Sequence, residues 1–187
     1  NPQFVVPEGY PKGAAQRVRY LMVEEQQQVL LAATTEGLIV SRLEPQADRM
    51  TFRLHQREAD RTQSLSSSGI MDIIKAHNGR LYVSTESGGV NLIEDADLLK
   101  EQLTFRHYTV QNHMLPSDVV MSMTPMPNGR CAIVSSHLVS IIDSTTQYRQ
   151  LDTHYFNADY RFSEARPLMV DNDTWIFGLN DGAFLTT

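Results

Sequence analysis

The sequence is short of nearly everything that announces chemistry. Its 187 residues hold one cysteine, Cys131, and one tryptophan, Trp175. A single cysteine excludes an internal disulfide. Its setting in Cys131-Ala-Ile-Val134 reads as a small buried apolar residue and not as a reactive thiol. There is no Gly-x-Ser-x-Gly elbow, no glycine-rich phosphate cradle and no paired-cysteine site. Lys and Arg number 16 against 22 Asp and Glu, a net charge of -6, and no basic cluster interrupts that balance. Such a surface repels phosphate backbones, which argues against direct contact with nucleic acid. No apolar run approaches the roughly 18 residues of a membrane helix, so this segment is expected to make no membrane contact. Helix formers without a breaker occur only over 94–102, enough for one or two turns in a connection. The first residue is Asn and no signal-like apolar region follows, which reads as a chain processed or excised from something larger.

The residue types that could carry chemistry are scattered. Of the six histidines, His55, His77, His107, His113, His137 and His154, only His107 and His113 lie within ten residues of each other. Neither has a Cys or carboxylate at ligand spacing, so all six read as exposed strand and loop histidines and no metal site is expected. Asp171-Asn-Asp173 begins like a calcium loop but lacks the later glycine and glutamate, and reads as a hairpin turn. Asn172-Asp-Thr174 matches a glycosylation sequon by pattern alone. Glu94-Asp95-Ala-Asp97 reads as stabilising the start of the possible helical turns, not as paired acid and base. Trp175 sits in a strand-like Thr-Trp-Ile-Phe-Gly run and reads as core. No catalytic residue and no cofactor is expected.

What the sequence does contain is repetition. An aliphatic run, a Gly or Asn turn, a second aliphatic run ending in Ser or Thr, and a third run recur about every fifty residues. The clearest copy is Ile70-Met-Asp-Ile-Ile74, Asn78-Gly79, Leu81-Tyr-Val-Ser-Thr85, Gly88-Gly89 and Val90-Asn-Leu-Ile93. The others centre on Val29-Leu-Leu-Ala-Ala-Thr34, Cys131-Ala-Ile-Val-Ser-Ser136 and Thr174-Trp-Ile-Phe-Gly178. Gly37 to Gly89 is a step of 52. Between the cores stand Thr51-Phe-Arg-Leu-His55 and Thr104-Phe-Arg-His-Tyr108, each a period-two strand followed by a polar loop, 56–68 and 109–118. Hairpin-sized gaps require antiparallel meanders, because parallel pairing needs a dozen or more connecting residues. Short strands at a period in the forties to fifties are the signature of propeller blades. The reading is all-β, a single partial β-propeller domain over 1–187. Its four or so four-stranded antiparallel blades fall near 17–55, 69–108, 118–150 and 163–187, with 3–6 able to supply the last outer strand through Phe4-Val5-Val6. Glycines Gly37, Gly88 and Gly89 fall where hairpins need positive φ.

Ser64-Leu-Ser-Ser-Ser-Gly-Ile70, Asn78-Gly-Arg-Leu-Tyr-Val-Ser-Thr85 and Gly88-Gly-Val90, with Leu115-Pro-Ser-Asp118 as a second copy, resemble the two-component regulator propeller repeat. The resemblance runs from about Phe4 to Leu185; the third copy has Ser136-His137 in place of the glycine pair. It implies a fragment of a seven-bladed propeller in the periplasmic half of a hybrid two-component sensor. Such sensors carry a following immunoglobulin-like domain, a membrane helix, a histidine kinase and a DNA-binding module. The implied function is to bind, or relay binding of, a glycan breakdown product and so control genes for carbohydrate use. An interaction scaffold without a small ligand is the alternative, and a propeller lyase or glycosidase a further one. The expected partners are an oligosaccharide, the remaining blades and the immunoglobulin-like domain. The polar loops make Arg57, Arg61, Gln111 and His113 the candidate ligand-binding residues. Four blades leave apolar faces at both ends, so either a tight four-blade closure or a homodimer is expected.

Overall fold

The computed structural model describes residues 6–7, 9–11, 17–142, 148–151, 156–171 and 174–186. Val18–Glu24, Val29–Thr34, Gly37–Arg42 and Phe52–His55 (β1 to β4) form the first sheet, each strand pairing antiparallel with the next. Ile70–Lys75, Leu81–Thr85, Val90–Ile93 and Phe105–Tyr108 (β5 to β8) repeat the meander. Ser122–Pro125, Cys131–Val134, Val139–Ile142 and Tyr148–Leu151 (β9 to β12) repeat it again. Leu168–Met169, Trp175–Leu179 and Gly182–Thr186 (β13 to β15) make a fourth sheet of three strands. The expected fourth strand of that sheet is not among the described residues. Phe4, Val5 and the Asn172-Asp173 turn lie outside them, as does His154, while Val6 is exposed and belongs to no strand.

β1, β5 and β9 lie side by side, so the sheets stand like blades with their first strands innermost. Two-residue periodicity explains why the strands read as solid apolar runs. In the second blade, Ile73, Leu81, Val83 and Ile93 face the first blade and meet Val29, Leu31, Leu38 and Val40. The neighbours Ile74, Tyr82, Val90 and Leu92 face the third blade and meet Met123, Cys131, Ile133 and Ile142. Both faces of a central blade are covered, so both parities are apolar. Cys131 is fully enclosed there, and burial pushes its thiol up to about 12. Trp175 and Phe177 close the last interface against Ala132, Val134 and Val139.

The arc does not close on itself. On the outward face of the first blade, Leu21, Ala32, Ile39 and Leu54 stand in one register row, with Leu21 58% exposed but Ala32 and Ile39 buried. On the outward face of the fourth, Leu168, Ile176 and Leu185 form the matching row, with Leu168 61% exposed. Tyr10 packs edge-on to Phe52 and shields part of the first face.

Residues 94–102 form no helix but close one turn in the connection, the Lys100 N–H donating to the Asp97 carbonyl at 3.4 Å. Asp97 Oδ1 accepts the Leu99 N–H at 2.9 Å, and Asp95 accepts the Thr104 N–H and the Lys100 ammonium, each at 2.5 Å. Burial opposes the Asp95 charge, yet these donors hold its carboxyl below the usual range. One expectation is corrected at His55, which is not an exposed strand histidine: it is 5% exposed and packs edge-on against Phe105.

Burial, reinforced by Arg61 and Arg53 and opposed by Glu58 and Asp95, lowers the His55 pKa from 6.5 to about 4. The folded chain therefore holds His55 neutral where the unfolded chain is protonated. Stability is complete above pH 6.5, falls as the pH drops towards 4, and levels off below it, by on the order of 2–3 kcal/mol. Buried Asp72, whose pKa is raised, contributes with the opposite sign at acid pH, so the His55 share is read from a difference. Urea unfolding of the wild type and His55→Phe at pH 7, 5.5 and 4.5 should show the variant losing this pH slope. An identical slope in both would place the titration elsewhere.

Candidate functional site

The meander places the connections between blades, and the turn between each blade's second and third strands, at one end of the sheets. Loops 56–68 and 109–118 and the β6–β7 turn therefore gather on one face of the arc. Each loop ends by plugging a leucine, Leu65 or Leu115, into the core between two blades. Serine and aspartate chemistry holds the rest. Ser64 Oγ accepts the Glu58 N–H at 2.9 Å, Ser68 Oγ accepts the Arg57 N–H at 3.0 Å, and Asp118 Oδ1 accepts the Val110 N–H at 2.7 Å. Asn112 locks the second loop, accepting the Thr109 N–H at 2.9 Å and donating to the His107 carbonyl at 2.8 Å.

Behind the first loop stands Asn91, fully buried in β7. Its amide accepts the Ser66 N–H at 2.9 Å and donates to Ser66 Oγ at 2.8 Å. His107, its register partner on β8, meets the Ser64 carbonyl at 2.6 Å through Nε2. Loop and sheet are thereby a single piece. Between the loops lies a hollow of about 530 Å³, within the ordinary range for small-ligand sites.

The hollow brings together Arg57, Arg61 and Gln111 from the sequence-derived candidates. His113 stands outside its lining, at φ 59°, with its N–H bonded to the Val110 carbonyl at 3.0 Å. Ser66, Ser87, His107, Asn112 and Asp118 line the hollow without having been singled out. The signal for Asn91 was present: an amide between Val90 and Leu92 in an otherwise aliphatic strand needs a buried partner.

Two other hollows hold ion pairs, although Arg80 in one and Glu164 in the other have no side-chain partner among the described residues. At the axis, Arg166 reaches from the fourth blade to the Asp72 carboxylate on β5 and to the Tyr20 hydroxyl on β1 at 3.1 Å. Its guanidinium lies 4.5 Å from the Tyr20 ring centroid. Burial raises the Asp72 pKa despite this partner. Arg19 is paired with Glu86 beside it. On the opposite face, Lys75 meets Glu24 at 2.7 Å and Arg106 meets Glu94 at 2.5 Å. The loop-face hollow differs in being built by two loops that Asn91 and Asn112 lock in place. Among the described residues, the Arg57 guanidinium and the Gln111 amide have no side-chain partner there. Among the described residues, no three His, Cys, Asp or Glu side chains form a metal-binding group.

No family model matches the chain, and no curated protein is similar to it in sequence. Solved structures are similar in fold. The extracellular domain of the hybrid two-component system BT3049 from B. thetaiotaomicron superposes with a TM-score of 0.69 at 19% identity, over 94% of this chain and 23% of that one. The corresponding domain of BT4673 from the same organism gives 0.62 at 18% identity, over 87% and 20%. YCF48 from Cyanidioschyzon merolae gives 0.61 at 12% identity, over 90% and 50%. The chain thus spans about a quarter or less of the two sensor domains, and the likeness establishes a β-propeller-like fold.

Proposed function

We propose that the chain is an extracytoplasmic, non-catalytic sensing segment of a hybrid two-component system. In this reading it binds a soluble oligosaccharide released from a glycan and contributes to control of carbohydrate-utilisation genes. The observation that carries the proposal is the loop-face hollow, rigidly built yet presenting unpartnered Arg57 and Gln111. Fixed polar donors in a preformed concavity suit a ligand covered in hydroxyls. The fold likeness to extracellular domains of hybrid two-component systems supports the sensing role and the periplasmic location.

The two apolar end faces support the rest of the proposal. The row Leu168, Ile176 and Leu185, with Leu168 and Leu185 exposed, and the exposed Leu21 on the first blade have the chemistry of the faces that the inner blades bury against each other. They suit further blades of one propeller, with an immunoglobulin-like domain beyond, or a second copy of the chain. The interaction-scaffold alternative rests on these same faces and needs no saccharide.

Ser87, exposed at the rim of the hollow, separates the readings. Ser87→Trp fills the space without touching the blade cores. Calorimetric titration against a panel of neutral and acidic oligosaccharides should find a binder for the wild type and none for Ser87→Trp, with unchanged melting temperature. A saccharide that bound both equally would remove the hollow from the account.

A further inference from the structure

Asp72 on β5 and Ser84 on β6 are register partners, so their side chains stand on one face of the second blade. Ser84 is fully buried, and its hydroxyl has no hydrogen-bond partner among the described residues. Asp72, 7% exposed, gives its carboxylate to the Arg166 guanidinium instead. It also accepts the Ile73 N–H at 2.8 Å and the Met123 N–H of β9. The facing third blade brings Met123 and the neutral thiol of Cys131, and β6 adds Tyr82 on the same face as Ser84. Arg19 and Glu164 line the same axial hollow, with Arg19 paired to Glu86, and the Tyr20 hydroxyl meets Arg166. Arg166 is thus the charge in contact with Asp72.

That contact spans the axis. The aromatic side of the fourth sheet packs on the third blade, while Arg166 alone carries the sheet's side-chain bonds to β5 and β1 among the described residues. Burial favours the uncharged acid and raises the pKa of Asp72 against the pull of Arg166. A neutral carboxyl needs an acceptor for its proton, and the Ser84 hydroxyl stands ready across the register. Burying it uncharged also costs less than burying the ion, so the second blade stays folded while exposed Arg166 loses its counter-ion.

We infer that Asp72 is a two-position switch at the axis. Charged, it holds Arg166 and braces the fourth sheet against the first two blades; neutral, it bonds to Ser84 and releases the brace. The brace is complete at neutral pH and is lost as the pH falls through the raised Asp72 value, before ordinary carboxylates titrate. The switch needs no ligand in the loop-face hollow and stands apart from the saccharide reading.

The test is a distance measurement between spin labels on Glu44→Cys and Asp181→Cys, exposed positions beside the first and fourth sheets, with enclosed Cys131 left unlabelled. The chain should show one distance at pH 7.5 and gain a longer population at pH 5. Asp72→Asn, permanently uncharged, should show the longer population already at pH 7.5 and no further change on acidification. Ser84→Ala keeps Asp72 and Arg166 but removes the acceptor, so its transition should move to lower pH by roughly half a unit or more. A distance unchanged between pH 7.5 and 5 would overturn the switch, and so would a transition that survived Asp72→Asn. A Ser84→Ala transition at the same pH as the wild type would overturn the role of Ser84.

Discussion

Phe162→Ala is expected to lower stability by about 3–5 kcal/mol, the cost of emptying a large aromatic site in a core. Phe162 is fully buried. Its ring meets Phe156 edge-on at 5.1 Å and Phe177 at 5.9 Å, and its N–H donates to the Ser136 carbonyl of the third blade at 3.0 Å. It also bridges to Leu179, extending the inner edge of the fourth sheet beyond the two residues of β13. That sheet has three strands and one exposed face, so its attachment to the rest of the molecule depends on this aromatic cluster. Urea unfolding should show the loss, and amide exchange should quicken first in β14. The hollow lies between the first three blades and should keep its exchange pattern. A loss below about 1 kcal/mol would mean that the fourth sheet is held by something else.

Gly89→Val should cost about 3 kcal/mol or more. Gly89 sits at φ +67°, a conformation that L-residues adopt at a cost of roughly 1–2 kcal/mol and β-branched ones more reluctantly. A Cβ there would also land on the Tyr108 carbonyl, whose strand pairs with β7. Gly79 supplies the control. Its φ is +81°, but an added Cβ would meet nothing, so Gly79→Ala should cost only the backbone penalty, about 1 kcal/mol. For a chain of this size, the two should differ by several degrees in melting temperature. Equal effects would show that the close approach at Gly89 can relax.

Much of the fold was legible because a blade is specified locally. The spacing from Gly37 to Gly89 and the paired Phe52 and Phe105 strands mark a meander whose contacts lie within about forty residues of sequence. What stayed hidden is what depends on blades meeting. Asp72 looks like an interruption in an aliphatic run until Arg166, 94 positions away, reaches it across the axis. His55 looks like a surface histidine because its strand alternates, and only the facing Phe105 blade buries it. Over 94–102 a single turn fits the reading of one or two turns in a connection, with the Asp97 carboxylate accepting the Leu99 N–H at its start. Arg57, Arg61 and Gln111 could be picked from loop polarity. Their convergence, and the Asn91–Ser66 lock behind them, follow from the sheet register.

The most direct test of the account is hydrogen–deuterium exchange of the chain with and without a saturating saccharide found by titration. Exchange should slow at 57–66, 87–88 and 107–112, with the axial segments 19–21, 71–73 and 164–166 unchanged. Protection confined to the axis, to the opposite face around 24–27 and 94–98, or to the end rows at Leu21 and Leu168 would contradict it.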